Sequence, residues 1–335
     1  MKHANISLFV PHAGCPHMCS FCNQKTISGK TEILTPEEVK NTLEKAALDG
    51  TSPENTEIAF FGGSFTAIER GYMISLLEET VPFIKNGRFM GIRVSTRPDA
   101  VDSEVLEILK SYGVTSIELG AQSTDRDVLK ANMRGHTADD IFKASALIKQ
   151  NGFSLGLQMM TGLYCDTNEK CIKTARDFIS LRPDTVRIYP TVVLEGTYLE
   201  KLFKSGIYKP QTVEEAADIC AVLLKMFYDE NIKVIRLGLH SGGNVEDGFV
   251  GGPYHPAFGE ICESKIYLEE AKKALYSKFK ESKNEINEAE IFVNDREISK
   301  MTGQKRDNIK LLKDLGFTVK IKGDPSLSKY RVTVT

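Results

Sequence analysis

Seven short β-rich runs, each followed by residues with helical spacing, fill the first 240 positions and restrict the chain more than any other feature does. They are Ile6–Pro11, Glu57–Gly62, Gly91–Thr96, Ser116–Gly120, Ser154–Met160, Thr185–Tyr189 and Lys233–Leu237. Between them lie segments such as Thr35-Pro36-Glu37-Glu38, where threonine caps, proline takes the first helical position and glutamate closes a capping box. Such alternation implies an α/β fold with a parallel sheet and right-handed crossovers. A doubly wound sheet and a partial TIM-type barrel both satisfy the pattern, and in either one a ligand site gathers where strands end.

Past Leu239 the pattern changes, which divides the chain into a barrel at 1–240, an extension at 241–288 and a small α+β unit at 289–335. The extension holds the glycine-rich stretch 241–253 and a packing helix near Ser264–Lys283. The last unit reads as strand Glu290–Val293, helix Arg296–Met301, turn Gly303–Arg306, helix Asp307–Leu315, and strands Phe317–Lys322 and Tyr330–Val334. With 335 residues, 41% of them hydrophobic, the chain can bury a full core plus such an appendage. A net charge of -2 argues for neither a nucleic-acid nor a membrane surface. The apolar run Ile6–Val10 is too short for a signal peptide, and no later run nears the roughly 20 residues of a membrane span. Cytoplasmic residence, away from any membrane, is the expectation.

Seven cysteines, three of them within eight residues, make a poor disulfide framework and a good metal-ligand cluster in a reducing compartment. Cys15-Pro-His-Met-Cys19-Ser-Phe-Cys22 follows the first predicted strand, in the loop that would crown a barrel. Three thiolates there can hold three irons of a 4Fe–4S cube and leave the fourth without a protein ligand. Tetrahedral zinc is the alternative, with His12 or His17 completing the set. Gly62 and Gly63, ending the second strand ahead of Ser64, allow the backbone to approach a ligand closely. Other strand ends carry Ser95-Thr-Arg97-Pro-Asp99, Glu118-Leu-Gly-Ala-Gln122-Ser123, Arg134-Gly-His136, Gln158 and Arg187-Ile-Tyr189-Pro190. Taken singly, Arg97 and Arg187 read as ion-paired residues, Gln122 and Gln158 as partners of buried backbone, and His136 as a helix cap. Together, polar groups at five strand ends fit a bound polar cofactor and substrate. Cys165 and Cys262, among the remaining cysteines, and Tyr189 are candidates to meet the substrate, although burial as inert thiols is the commoner fate of cysteine.

With Phe21 between its second and third cysteines, CxxxCxxC resembles the signature of radical S-adenosylmethionine (SAM) enzymes. Thr96-Arg-Pro-Asp99, Ile117-Glu-Leu-Gly-Ala-Gln-Ser123, Arg134-Gly-His-Thr137, Arg182-Pro-Asp-Thr-Val-Arg-Ile-Tyr-Pro-Thr191 and Gly252-Pro-Tyr-His-Pro-Ala-Phe-Gly259 resemble, more narrowly, the radical SAM domain of the Elongator catalytic subunit and its shorter bacterial relatives. That resemblance implies a partial barrel of about six strands. It also implies a 4Fe–4S cluster on Cys15, Cys19 and Cys22, and SAM contacts from Phe21, Gly62, Gly63, Ser64, Ser95, Arg97, Gln122, Arg134 and Gln158. More distant similarity to oxygen-independent coproporphyrinogen oxidases points to the same positions. A flavodoxin or ferredoxin is the implied electron donor. Elongator pairs its radical domain with an acetyltransferase domain to modify wobble uridines of transfer RNA with acetyl-CoA. This chain departs from it in having no room for that domain, a tighter first cysteine spacing, no long basic N-terminal extension, and Gln158 where histidine is usual.

The segment Ile298–Leu311 resembles the helix-turn-helix of a KH module, whose GxxG loop clamps nucleic-acid backbone, with Arg306 in place of the second glycine. From Ile291 to Thr335, Lys and Arg outnumber Asp and Glu ten to five. The expectation is a radical SAM enzyme acting on RNA, most naturally tRNA docked through this unit. A small-molecule or peptide substrate is the second reading, and a non-enzymatic iron–sulfur or zinc RNA-binding protein the third.

Overall fold

Single charged residues, Glu57, Arg93, Glu118 and Arg187, interrupt otherwise apolar central strands, and the fold explains why. The computed structural model describes residues 4–10, 15, 18–23, 32–49, 52–239, 244–281 and 288–335. His12 and His17, with Pro11, 241–243 and Lys283, lie outside the described residues. Strands β1 (Ala4–Val10), β2 (Thr56–Gly62), β3 (Gly91–Thr96), β4 (Val114–Gln122), β5 (Ser154–Thr161), β6 (Thr185–Pro190) and β8 (Lys233–Leu237) pair side by side in that order. All pairs are parallel, and the sheet curls into an open half-barrel. The expected partial barrel is therefore the fold, with every predicted strand in place.

Helices occupy the crossovers: α1 (Pro36–Leu48), α2 (Arg70–Glu78), α3 (Val81–Lys85), α4 (Ser103–Ser111), α5 (Arg126–Ala131), α6 (Ala138–Gln150), α7 (Asn168–Leu181), α8 (Tyr198–Lys204) and α9 (Val213–Asp229). The capping box expected at Thr35 forms, with Glu38 N 3.2 Å from Thr35 Oγ1 and Thr35 N 2.8 Å from Glu38 Oε2. Helix α6 is capped by Thr137 and Asp140 in the same way, not by His136. The helix-covered face of the sheet carries Ile58, Phe60, Ile92, Val94, Ile117, Leu119, Leu155 and Ile188, all without exposed surface. Each contributes roughly 1.5–3 kcal/mol by burial. Ladder register puts Glu57, Arg93, Ser95, Glu118, Gln158, Arg187 and Tyr189 on the opposite, concave face. Closed barrels fill that space with layered aliphatic side chains. Here it is polar.

Two very short strands escape the sequence pattern: β7 (Val193–Leu194) pairs antiparallel with β9 (Phe249–Gly251), in a region expected to be loop, next to α10 (Asn244–Asp247). Their apolar residues join a small core of Val193, Leu199, Leu202 and Tyr208, against which Phe21, Phe203 and Val250 pack. Two or three residues are too few to display a period.

The chain divides into two units, Met1–Thr212 with Phe227–Tyr254, and Val213–Met226 with His255–Thr335. The second contains the long helix α11 (Phe258–Glu281), which begins earlier than the expected Ser264. It also holds β10 (Glu288–Val293), α12 (Ile298–Thr302), α13 (Asp307–Asp314), β11 (Thr318–Gly323) and β12 (Thr333–Val334), with β10 parallel to β11 and antiparallel to β12. The expected helix 296–301 splits into a 3-10 turn at Asp295–Glu297 followed by α12. The last strand is shorter than expected because Tyr330, at φ 62°, leaves the extended region; its N–H donates to Tyr267 Oη at 2.9 Å. Lys300, Lys310, Lys322 and Lys329 pair with acids of the same unit, so the basic excess of this tail is smaller than its composition suggests. No helix among the described residues is long and apolar enough to cross a membrane.

Candidate functional site

The thiol loop is anchored through Ser20. Its Oγ donates to Asn132 Oδ1 at 2.6 Å, its N–H to Asn132 O at 3.2 Å, and its carbonyl accepts from Leu199 N at 2.7 Å. Asn132 in turn donates to Tyr164 O and Val128 O at 2.9 and 2.8 Å, so one buried amide ties the loop to α5 and to the turn after β5. Cys22 N donates to Cys19 O at 3.1 Å, closing a turn that sets Cys19 and Cys22 on a common loop. Asn23 reaches Glu195 O at 2.7 Å.

Arg134 addresses this loop directly. One guanidinium nitrogen lies 2.9 Å from Cys19 Sγ, another donates to Gly120 O, and its carbon sits 6.0 Å from the Phe21 ring centre. Burial and the two neighbouring thiols push Cys22 up to about 12, with Arg134 opposing. Cys15 is also raised, by burial and then by Cys19, while Arg97, Arg134 and the Ser64 N–H pull the other way. Cys15 and Cys22, held up by burial, stand with Cys19 next to a fixed cation, a set that suits a cationic metal cluster, which would take all three as thiolates. Among the described residues no three His, Cys, Asp or Glu side chains converge where a single ion would sit. A cube that gives each thiolate its own iron makes no such demand.

At the ends of β3 and β4 and on Arg134 stand polar atoms that no described residue engages. Ser95 Oγ, Gln122 Oε1 and Arg134 Nε are buried without hydrogen-bond partners among the described residues. Gln122 also holds a left-handed backbone, φ 66°, uncommon for a residue with a side chain. Buried polar groups are ordinarily bonded, so this set fits a polar ligand such as SAM. Several of the expected contacts have other employment. Ser64 Oγ shares a 2.8 Å hydrogen bond with Thr96 Oγ1 and accepts from Arg97 N at 3.1 Å, bracing the ends of β2 and β3. Gly62, at φ 113°, is glycine because a Cβ would lie 2.8 Å from Val10 O, and Gly63 N donates to that carbonyl at 2.8 Å. Arg97 forms a two-point pair with Asp99, at 2.9 and 2.7 Å.

Below the loop, on the concave face, lies a charge network that the strand pattern alone does not assemble. Arg93 pairs with Glu57 at 2.8 Å and Glu118 at 3.0 Å. Arg187 reaches over β5 to Glu118, with nitrogens 2.9 and 3.0 Å from its two oxygens, and lies 5.3 Å from the Phe61 ring centre. Gln158 Nε2 donates to Glu118 Oε2 at 2.8 Å. Arg187 and Gln158 thus serve a buried carboxylate, not backbone or surface. Gly156 makes the span possible, since a Cβ there would come within 2.6 Å of Glu118 Cγ. Tyr189 is hydrogen-bonded to Arg187, and burial raises its phenol. The signal is present in the sequence: Glu57, Arg93 and Glu118 interrupt runs that otherwise read as apolar strands.

Cys165 is exposed at φ 65° after β5. Cys262 belongs to the second unit and has no exposed surface; burial and a hydrogen bond with Cys220 push its thiol far up, the setting of a packing residue rather than a substrate contact.

Comparison with known proteins agrees with this architecture. The model of the Radical SAM superfamily matches residues 9–178, and that of the Radical_SAM C-terminal domain residues 183–268. A tRNA uridine(34) acetyltransferase of Methanocaldococcus jannaschii is 29% identical over 202 residues, covering 54% of this chain and 37% of that protein. Human Elongator complex protein 3 is 30% identical over 209 residues, covering 56% and 38%. The chain therefore spans well under half the length of these curated relatives. Among solved structures, the archaeal Methanocaldococcus infernus Elp3 lacking residues 1–46 aligns with a TM-score of 0.63 at 21% identity, over 81% of this chain and 64% of that one. The half-barrel, its C-terminal extension and the matched region together make this chain a member of the radical SAM superfamily, enzymes that work with a 4Fe–4S cluster and S-adenosylmethionine.

Proposed function

We propose that the chain cleaves SAM at a cluster held by Cys15, Cys19 and Cys22 and turns the resulting radical on RNA, in particular tRNA. The observation that carries the first half is the meeting of Arg134 with Cys19 Sγ at 2.9 Å beside the unspent atoms of Ser95, Gln122 and Arg134 itself. When bound, the cluster and SAM supply a 5′-deoxyadenosyl radical through one-electron cleavage of the sulfonium. The chain's own residues then have separable duties. Arg134 offsets the negative charge of the thiolates and fixes the loop against Gly120. Phe21, packed on the Val193–Tyr208 core, keeps water from the inner side of the loop. Ser95 and Gln122 orient the amino-acid end of the ligand, and Gly63 and Ser64 approach it through backbone. Tyr189, held by Arg187, offers an O–H on the same concave face; Cys165 is the exposed thiol to compare with it.

RNA is favoured as substrate because relatives such as those of Methanocaldococcus jannaschii and Methanocaldococcus infernus are named tRNA uridine(34) acetyltransferase. The basic turn Gly303–Arg306 of the C-terminal unit supports docking of RNA, and cytoplasmic residence with a flavodoxin or ferredoxin donor accompanies this reading. Anaerobic reconstitution with iron and sulfide, then dithionite and SAM, tests it. Release of 5′-deoxyadenosine that rises with tRNA and carries deuterium from labelled uridine supports the proposal. No release at all would sink the enzyme, and release stimulated only by a small molecule or peptide would replace the substrate.

A further inference from the structure

Helix α5 and the start of α6 border a cavity of about 550 Å³ lined by Arg126, Leu129, Lys130, Met133, His136 and Asp139, among others. Arg126 and Lys130 stand one helical turn apart, exposed, and neither forms an ion pair among the described residues. Like charges at that spacing destabilise a helix by a few tenths of a kcal/mol, so the pair is explained better by an anion than by the fold. Across the cavity the thirteen-residue helix α6 begins. Its cap uses the Asp140 amide, and the Ala138 and Asp139 amides keep no acceptor among the described residues. A helix start with free N–H groups favours phosphate. Asp139 is the acid on the rim, and the neighbouring Asp140 carboxylate is spent on the cap, accepting from Thr137 N and Oγ1 at 2.8 Å.

His136 supplies the independent clue. It is 4% exposed, its Nε2 is spent on Ala121 O at 3.1 Å, and its Nδ1 is buried with no partner among the described residues. With Nε2 donating, Nδ1 is a bare acceptor, and it calls for a hydroxyl or amine. Phosphate on one side and a hydroxyl on the other are the demands of a ribonucleotide. The cavity also adjoins the reaction site. Along one short segment, Asn132 and Arg134 hold the thiol loop, while Met133 and His136 line the cavity.

We propose that this cavity is a ribose-phosphate subsite for the RNA strand, with phosphate at Arg126, Lys130 and the α6 amides and a ribose hydroxyl at His136; the proposal rests on the RNA reading above. An acidic electron-transfer protein is the competing occupant, but a convex partner has no use for a buried lone pair. Fluorescence anisotropy of the full chain with a single-stranded RNA and a DNA of the same sequence, across a salt series, tests it. The Arg126→Ala/Lys130→Ala variant changes exposed side chains, and an unchanged thermal midpoint certifies its fold. The expected result is tighter binding of RNA than of DNA, and a log–log salt slope that falls by about 1.4 in the variant, roughly 0.7 for each phosphate no longer neutralised. RNA binding with an unchanged slope overturns the subsite and leaves the RNA reading standing. Equal affinity for DNA removes the ribose. No RNA binding by the wild type overturns both. A variant that keeps its RNA slope but is reduced more slowly by flavodoxin assigns the surface to the electron donor instead.

Discussion

Two regions of the half-barrel use the same residue types to opposite ends. On the concave floor, Glu57, Arg93, Glu118, Arg187 and Gln158 pair with one another and Glu118 accepts from three side chains; only Arg187 Nε, 2.9 Å from Glu118 Oε2, lacks hydrogen-bond geometry. At the rim, beside the thiol loop, Ser95 Oγ, Gln122 Oε1 and Arg134 Nε are left without a hydrogen-bond partner among the described residues. Buried polar groups that complete each other hold the sheet together, whereas several unpartnered ones gathered beside a thiol loop suit a ligand. The difference separates floor from rim without reference to any relative.

Substitutions should break the two regions differently. The largest effect belongs to the rim: Cys15, Cys19 or Cys22 changed to alanine should abolish retention of a reconstituted 4Fe–4S cluster and all 5′-deoxyadenosine release, with the denaturation midpoint of the apoprotein little moved. Iron content and urea melts decide it, and a variant that keeps its cluster breaks the assignment. On the floor, Glu118→Ala strands two buried arginines and should cost about 3–5 kcal/mol in urea unfolding, before any ligand is added. A loss below about 1 kcal/mol would mean that the network is not closed.

His136 belongs partly to each region, with one ring nitrogen bonded and one orphaned. Burial, with Arg134 adding to it, lowers its pKa to about 4 from 6.5; Arg97 acts with Arg134, while Asp99 and the Ala121 carbonyl act against them. Between those values the unfolded chain binds the extra proton, so stability is present above pH 6.5 and is lost as pH falls toward 4. The loss is on the order of 3 kcal/mol, and His136→Gln should remove that component from the pH dependence of unfolding. Identical profiles for the two proteins would contradict it. The smallest effect is Gly156→Ala, which should cost about 1–3 kcal/mol by forcing Glu118 aside, and clearly less when Glu118 is already alanine and only Thr185 Oγ1, 3.1 Å from the new Cβ, is pressed. Additive losses in that double-mutant cycle would deny the contact.

Much of this was legible in the sequence. Strand positions, the Thr35 cap and the parallel order follow from periodicity and turn chemistry, which act locally. The thiol loop was legible because metal ligands must be close in sequence to share a turn. The floor was missed for the opposite reason: Glu57, Arg93, Glu118 and Arg187 come from four strands, and only the curl of the sheet brings Arg187 across β5 to Glu118. Residues 193–194 and 249–251 were missed because a two-residue strand has no period. The cap of α6 went to the neighbour of His136 because a threonine hydroxyl can bond the N3 amide, whereas the imidazole was engaged elsewhere.

The missing side chain of Gly156 has an evolutionary consequence. A carboxylate that crosses a strand can persist only while the position beneath it stays empty, so the two sites form one inherited character. Across homologues, a lineage that trades Glu118 for a shorter residue frees Gly156 to drift, and one that fills position 156 first should already have lost the acid. The order of those two changes on a phylogeny would record when the chamber acquired or abandoned its charged floor.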